Sequence, residues 1–203
     1  TAAALQAGVS LRTCADALAT FPGVFRRHQI LGTFGGVTLV DDFAHNPAKI
    51  SASIKSARGF TSGRVLAWFQ PHGFGPTRFL RNDLVEFIHK ALRNPGEGAA
   101  DDFSKGAAAS DAVENSVNSL ADRMYFSEIY YAGGTVTRDI SAGDLACDLV
   151  AKGSDALYIE NRDECAKAMV KEAKPGDTIL LMGARDPSLE KFAQSVQKLL
   201  LYK

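Results

Sequence analysis

Short apolar runs alternate along the chain with longer segments in which apolar residues recur at helical spacing. The apolar runs predict strands over residues 25–34, 37–42, 64–70, 124–129, 156–159 and 178–182. The helical spacing predicts helices over residues 1–6, 10–20, 47–58, 77–92, 143–152, 163–172 and 187–201. Because strands that alternate with helices are typical of α/β proteins, we expect a doubly wound, mostly parallel sheet with helices on both faces.

Two stretches depart from this alternation. Residues 1–22 form a short helical remnant ahead of the sheet, and it ends at the chain-breaking pair Pro22-Gly23. Residues 93–120 are rich in Gly, Ala, Ser, Asn and Asp and contain few large apolar side chains. Because a structureless stretch of this length is uncommon inside a compact domain, we expect an exposed insertion there.

Composition narrows the class of protein. Lys and Arg together number 23, and so do Asp and Glu, so no net charge favours nucleic acid or an anionic membrane as a partner. No apolar run approaches the roughly 20 residues of a membrane-spanning helix. The three cysteines form no Cys-x-x-Cys pair, and no His-x-x-x-His spacing occurs, so neither a disulfide framework nor a metal site is predicted. We expect reduced cysteines in a cytoplasmic protein.

Candidate chemistry follows four of the predicted strands. The segments are 41–47, 69–78, 128–135 and 182–186, and together they contain carboxylates, histidines, arginines and glycines. The carboxyl ends of parallel strands meet at one edge of a sheet, and ligands of open α/β sheets bind at that edge. We therefore expect the four segments to form one site.

The candidate residues have both a functional and a structural interpretation. Asp42 either hydrogen-bonds a ribose hydroxyl or serves as a turn carboxylate ahead of a helix. His45 either binds a carboxylate or a reacting amine, or bonds to the backbone of its own turn. His72 precedes a glycine, which lets a ligand approach the backbone closely, but it also fits a plain turn. Arg26 and Arg27 open a predicted strand and face opposite sides, so one reaches the site while the other is solvated, unless both are exposed.

Four ordered motifs carry a family resemblance. Gly-Val-Phe-Arg-Arg at 23–27, Asp-Asp-Phe-Ala-His-Asn-Pro at 41–47, Phe-Gln-Pro-His at 69–72 and Met-Gly-Ala at 182–184 resemble the C-terminal domain of the Mur ligases. The third motif is similar to the UDP-N-acetylmuramate–alanine ligases, and the Phe43 form of the second is similar to the muropeptide-recycling ligases. The chain contains no Gly-x-x-x-x-Gly-Lys-Ser/Thr phosphate loop.

This resemblance implies a ligase of three domains, with residues 23–203 as the C-terminal domain and residues 1–22 as the tail of the central domain. The central domain would carry the phosphate loop and the magnesium ligands, so this chain alone is expected to be inactive. The implied reaction is ATP-driven amide formation. The carboxylate of a UDP-N-acetylmuramate substrate attacks the γ-phosphate of ATP, and the amine of an amino acid or peptide then displaces phosphate from the acyl phosphate. A hinged domain suits this reaction because closure keeps water from the acyl phosphate.

The resemblance also implies roles for individual residues, none of them catalytic. Arg27 would reach the nucleotide phosphates, and Asp42 would bind the ribose of ATP. The amino-acid or peptide substrate would be bound by His45, His72 and Phe43.

Two departures from the family pattern concern the carboxylate of the amine donor. The alanine-adding enzymes have arginines where this chain has Gly73 and Pro76. Each lost arginine–carboxylate contact would weaken binding of the donor about tenfold or more. Either Arg78 supplies the missing charge, or the donor is not free alanine.

Two further classes of function stay open: a stand-alone nucleotide-binding module without ligase activity, and a folate- or cyanophycin-type ligase.

Overall fold

The computed structural model describes residues 1–92 and 121–203, and its centre is a sheet of six strands. The strands are β1 (Gln29–Phe34), β2 (Val37–Asp42), β3 (Val65–Gln70), β4 (Arg123–Phe126), β5 (Asp155–Tyr158) and β6 (Thr178–Gly183). Their order across the sheet is β1-β2-β6-β3-β4-β5. β1 is antiparallel to β2, and the other neighbouring pairs are parallel, which confirms the expected mostly parallel sheet. The expected insertion at 93–120 lies outside the described residues.

The helices are α1 (Ala2–Gln6), α2 (Leu11–Ala19), α3 (Pro47–Arg58), α4 (Phe74–Phe79), α5 (Arg81–His89), α6 (Ala142–Ala151), α7 (Arg162–Glu172) and α8 (Leu189–Leu201). Asn46 begins α3 as the sequence predicts, because its side chain accepts a hydrogen bond of 2.9 Å from the backbone N–H of Lys49. Within the described residues, no helix is long and apolar enough to cross a membrane.

Helices cover both faces of the sheet and bury a separate apolar cluster on each. Ile50 of α3, Leu84 of α5 and Leu145 of α6 belong to the cluster on one face. Met169 of α7 and Phe192 of α8 belong to the cluster on the other face. The four central strands β2, β6, β3 and β4 contribute to both clusters because successive side chains point to opposite faces, so the sheet is doubly wound.

The predicted strand over 25–34 is too long at its start. β1 begins at Gln29, because Arg26 and His28 both have a φ of 50° and turn the chain instead of extending it. The two arginines therefore lie in a turn ahead of β1, and the prediction that they open a strand is wrong.

The predicted helix over 77–92 consists of two helices. The first, α4, begins at Phe74, before Pro76, because proline is tolerated in the first turn of a helix. Leu80 has a ψ of 4° and separates α4 from α5 while it packs against the apolar core. The apolar spacing identified the buried Leu84, Ile88 and Leu92, but it missed the start and the break, and it included Phe79 and Phe87, which are exposed.

An ionic cluster joins the amino ends of the parallel strands. Glu172, at the end of α7, accepts hydrogen bonds from Arg64, Tyr125 and Arg123, the last at 2.6 Å. Arg64 also lies 3.2 Å from the buried carboxylate of Asp177. Burial raises the pKa of Glu172, but the hydrogen bonds from Tyr125 and Arg64 and the charges of both arginines outweigh burial and lower it.

We expect Glu172→Gln to lower the free energy of unfolding at pH 7 by about 1–3 kcal/mol, since it removes the charge that three donors share. The pKa of this carboxyl is lower in the folded chain than in the unfolded chain. Its contribution is therefore present above the ordinary glutamate pKa and is lost as the pH falls through the folded value. Urea denaturation of the wild-type protein and of Glu172→Gln at pH 7 and pH 4 measures the difference between their free energies of unfolding. This difference should be smaller at pH 4. The exposed Glu164→Gln is the matched control.

Candidate active site at the carboxyl edge of the sheet

The four segments that carry candidate chemistry lie at one edge of the sheet, as the sequence predicts. Asp42, the last residue of β2, is paired with Met182 of β6, and Gln70, the last residue of β3, is paired with Gly183. The chain leaves β2 and β3 toward the helices of one face, whereas it leaves β6 toward α8 on the other face. Diverging connections of this kind open a crevice at the strand ends, where α/β sheets bind ligands.

Backbone hydrogen bonds hold the segment after β3 in place. Gly73 donates from its N–H to the carbonyl of Tyr130 at 2.9 Å, and Tyr130 donates to the carbonyl of Pro71 at 2.8 Å. Gly73 has a φ of 73°, a conformation that favours glycine, as the chain turns from the strand into α4. These bonds continue the pairing of β3 and β4 beyond the ends of both strands. They also fix the position of His72, which lies between Pro71 and Gly73 and is paired with Tyr130.

His45 and His72 lie side by side, with ring centroids 5.7 Å apart. They line a cavity of about 90 Å³ together with Asn46, Phe69, Pro71, Pro76, Thr77, Leu80 and Leu84. Nδ1 of His45 lies 2.8 Å from the carbonyl oxygen of Phe43, which only accepts, so this nitrogen carries a proton. His45 is thus bonded to the backbone of its own turn, and its other ring nitrogen stays available to a ligand.

His72 carries a buried nitrogen, Nδ1, that finds no hydrogen-bond partner among residues 1–92 and 121–203. Burial lowers the pKa of His72, and the charges of His45 and Arg185 lower it further. A neutral imidazole offers a lone pair, so His72 can accept a hydrogen bond from an amine.

Arg26 forms a buried ion pair that the sequence did not predict. Its Nε lies 2.9 Å from Oδ2 of Asp41, and its Nη2 donates to the carbonyl of Gly183 at 3.1 Å. Burial raises the pKa of Asp41 even though Arg26 opposes the shift. The sequence signal that could have indicated separate partners for the two carboxylates is the alternation of side chains along β2. This alternation places Asp41 and Asp42 on opposite faces of the sheet.

Arg27 is exposed and lies over the ring of Phe43, with its guanidinium carbon 4.8 Å from the ring centroid. The ring of Phe43 also meets His45 edge-on, at 5.4 Å between centroids. Of the two arginines, one is buried in an ion pair and the other faces solvent beside the site.

Asp42 lies on the α3 side of the sheet and is largely buried. Its Oδ1 accepts a hydrogen bond of 3.0 Å from the N–H of Ala44, and its Oδ2 accepts one of 2.7 Å from the hydroxyl of Ser53. Burial raises the pKa of Asp42, but hydrogen bonds from His28, Ser53 and Ala44 outweigh burial and lower it. The carboxylate is therefore held as an anion that can accept further hydrogen bonds.

Arg78 is engaged away from the histidine cavity. It forms an ion pair with Asp139 and donates to the carbonyl of Thr137 at 3.1 Å. The residues that line the cavity include its neighbours Pro76 and Thr77 but not Arg78 itself. Within the described residues, no group of three or more histidine, cysteine or acidic side chains could hold a metal ion.

Residues 26–185 match the family model described as "Mur ligase, glutamate ligase domain". The chain belongs to this family. A curated relative, the UDP-N-acetylmuramate–L-alanine ligase of Lachnospira eligens, is 30% identical over 185 residues, which are 91% of this chain and 34% of the relative. This member of the Mur ligase family thus spans about a third of the length of the curated relatives it matches.

Two solved structures share the fold of this Mur ligase domain. The UDP-N-acetylmuramate–alanine ligase of Thermotoga maritima is 20% identical, with a TM-score of 0.63 over 98% of this chain and 34% of that structure. A murein peptide ligase of Psychrobacter arcticus is 20% identical, with a TM-score of 0.60 over 100% of this chain and 35% of that structure. The fold and the family expected from the four motifs are confirmed.

We expect Arg185→Ala to raise the pKa of His72 toward the ordinary histidine value, because the substitution removes one of the positive charges that lower it. Titration of the histidine ring protons by NMR measures this shift. Arg12→Ala, in the exposed helix α2, is the control and should leave the pKa of His72 unchanged. An unchanged pKa in Arg185→Ala would show that Arg185 does not face His72.

Proposed function

We propose that this chain is the C-terminal domain of an ATP-dependent ligase that joins an amino acid or a short peptide to UDP-N-acetylmuramate through an acyl phosphate. The observation that carries the proposal is the meeting of two kinds of site at one sheet edge. Asp42 and Arg27 offer an anion and a cation suited to a nucleotide, and His45 and His72 border an adjoining cavity. An enzyme of this class must bring a nucleotide and an amine together.

The nucleotide half of the site consists of Arg27 and Asp42. The anionic carboxylate of Asp42 fits the hydroxyls of a ribose, since both of its oxygens can accept additional hydrogen bonds. The guanidinium of Arg27 is exposed over the ring of Phe43, the residue after Asp42, and it fits a phosphate. When bound, ATP supplies the phosphate that activates the acid. We place the magnesium ligands in the central domain of the proposed ligase, as the family resemblance implies.

The amine half of the site consists of His45 and His72, with Phe43 between it and the nucleotide half. The unpartnered nitrogen of His72 is a polar atom that a bound amine can satisfy. Phe43 contacts both Arg27 and His45, so its ring couples the position of the phosphate-binding cation to that of the amine pocket.

Residues 1–22 belong, in this proposal, to the tail of the central domain, and residues 23–203 form the C-terminal domain. Helix α1 has no buried residue, and α2 buries only Cys14. Leu11 and Leu18 of α2 are exposed, and so is Phe21 after it. An apolar surface of this kind suits contact with the rest of the proposed ligase, since the chain covers 34% of the length of a relative.

The contacts of Arg78 favour a peptide as the amine donor. Neither Gly73 nor Pro76 carries a charge, and Asp139 neutralises Arg78. Arg78 can bind the carboxylate of a free amino acid only after it leaves Asp139. A short peptide carries its carboxylate farther from the reacting amine, so its recognition does not require a cation beside His72.

Asp42→Asn and His72→Ala should separate the two halves of the site. In the full-length ligase, we expect Asp42→Asn to raise the KM for ATP about tenfold, because it weakens a charge-assisted hydrogen bond, and to leave the KM for the amine unchanged. His72→Ala should raise the KM for the amine and leave the KM for ATP unchanged. Release of phosphate, measured with UDP-N-acetylmuramate present and absent, follows the reaction. If no amide forms with alanine, glycine, serine or a muropeptide, the proposed function is wrong.

The same assay tests the donor. We expect the muropeptide to be preferred over free alanine, and Arg78→Ala to change the KM for the muropeptide less than about twofold, as for other surface ion pairs. Arg81→Ala is the matched control, since Arg81 is paired with Asp148 in a similar way. If the wild-type enzyme prefers alanine and Arg78→Ala abolishes this preference, then Arg78 belongs to the amino-acid pocket.

A further inference from the structure

Three consecutive residues of the turn 26–28 engage three consecutive residues at the end of β2. Arg26 is paired with Asp41, and Arg27 lies over Phe43. His28 reaches the residue between them, Asp42. The contact of His28 takes no direct part in the proposed reaction.

His28 contacts Asp42 through Ser53 of α3. The hydroxyl of Ser53 donates to Oδ2 of Asp42 at 2.7 Å, and Nδ1 of His28 lies 3.3 Å from the same hydroxyl oxygen. Because the hydroxyl hydrogen points at the carboxylate, the hydroxyl oxygen must accept from His28, whose Nδ1 therefore carries a proton. Nδ1 is also 3.5 Å from Oδ2 of Asp42 itself. The result is a chain of donors that runs from His28 through Ser53 to Asp42.

The position of His28 is held at the expense of local stability. Its φ of 50° is a left-handed conformation that is uncommon in residues other than glycine. Its Nε2 is buried and has no hydrogen-bond partner among the described residues. Its ring packs edge-on against Phe60, at 5.8 Å between centroids. Strain of this kind persists where the surrounding structure requires it, and it concentrates at functional sites.

We propose that His28 is a positioning residue that acts through Ser53 to orient the carboxylate of Asp42 toward the ribose of the nucleotide. This inference rests on the proposed function, because it takes Asp42 as the ribose ligand. Ala44 fixes Oδ1 and the His28–Ser53 chain fixes Oδ2, so the remaining lone pairs of both oxygens point in a set direction. Without His28, the hydroxyl of Ser53 is free to rotate away, and the carboxylate loses one of its two fixed contacts.

Nucleotides that lack a ribose hydroxyl provide the test. The KM for ATP and the KM values for 2′-deoxy-ATP and 3′-deoxy-ATP are measured with the full-length ligase, and their ratios report the hydroxyl contact. We expect the wild-type enzyme to prefer ATP over at least one deoxy analogue by about tenfold. His28→Gly should reduce this preference about fivefold or more, with the KM for the amine unchanged.

Two further variants keep the test independent of folding of the turn. His28→Asn tolerates a positive φ and keeps an N–H donor near the place of Nδ1, so it should retain most of the preference. Ser53→Ala breaks the donor chain from the helix without changing the turn, and it should reduce the preference as His28→Gly does. The control is His89→Asn, because Nδ1 of His89 also lies near a serine hydroxyl, 2.7 Å from Ser154, far along the chain from the site.

The outcomes separate this inference from the proposed function. Equal KM values for ATP and both deoxy analogues in the wild-type enzyme would remove Asp42 as the ribose ligand and overturn the inference, while amide formation would still support the ligase. A preference that His28→Gly and Ser53→Ala leave intact would overturn the role of His28 alone. A rise in KM for ATP and for the analogues by the same factor would also overturn it, since that result indicates a merely structural role.

Discussion

The buried ion pair between Arg26 and Asp41 is the contact on which the arrangement of the site depends. The guanidinium of Arg26 also donates a hydrogen bond to the carbonyl of Gly183 at the end of β6. The backbone carbonyl of Arg26 accepts a hydrogen bond of 2.8 Å from the N–H of Phe43. One residue thus joins the turn ahead of β1, the end of β2 and the end of β6. Removing either member of such a pair leaves an uncompensated buried charge, so the loss of Arg26 or of Asp41 would disturb all three segments. Arg27 and His28 reach the site because the buried residue before them fixes the turn.

Much of the fold could be predicted from the sequence, because its signal is local. The strands β3 and β6 are buried throughout and read as continuous apolar runs. The convergence of the candidate segments follows from the direction of parallel strands alone. The turn at 26–28 could not be predicted, because a positive φ is typical of glycine and is uncommon in other residues such as Arg26 and His28. The break at Leu80 was hidden for a different reason, since an apolar residue at helical spacing fits both a continuous and an interrupted helix.

The site was predictable at the level of which loops meet, but not at the level of which side chains pair. Asp42 and His45 stand out by position, whereas the contact of Asp42 with Ser53 joins residues from a strand and the following helix. The pairing of Arg78 with Asp139 joins parts of the chain that no motif connects. For the proposed function this pairing matters, because proteins that share a fold differ in the few side chains that set the charge of the site.

Left-handed backbone is distributed unevenly across this domain. In the described chain, the non-glycine residues with positive φ are Arg26, His28 and Arg185, and all of them lie in the connections that border the site. The opposite edge, by contrast, is held by the network around Glu172. Replacement of Arg185 by glycine or asparagine would relax its turn and raise thermal stability, whereas replacement of Arg26 would leave Asp41 buried without its partner. Selection for a more stable protein would therefore act against the fixed backbone at this edge of the sheet.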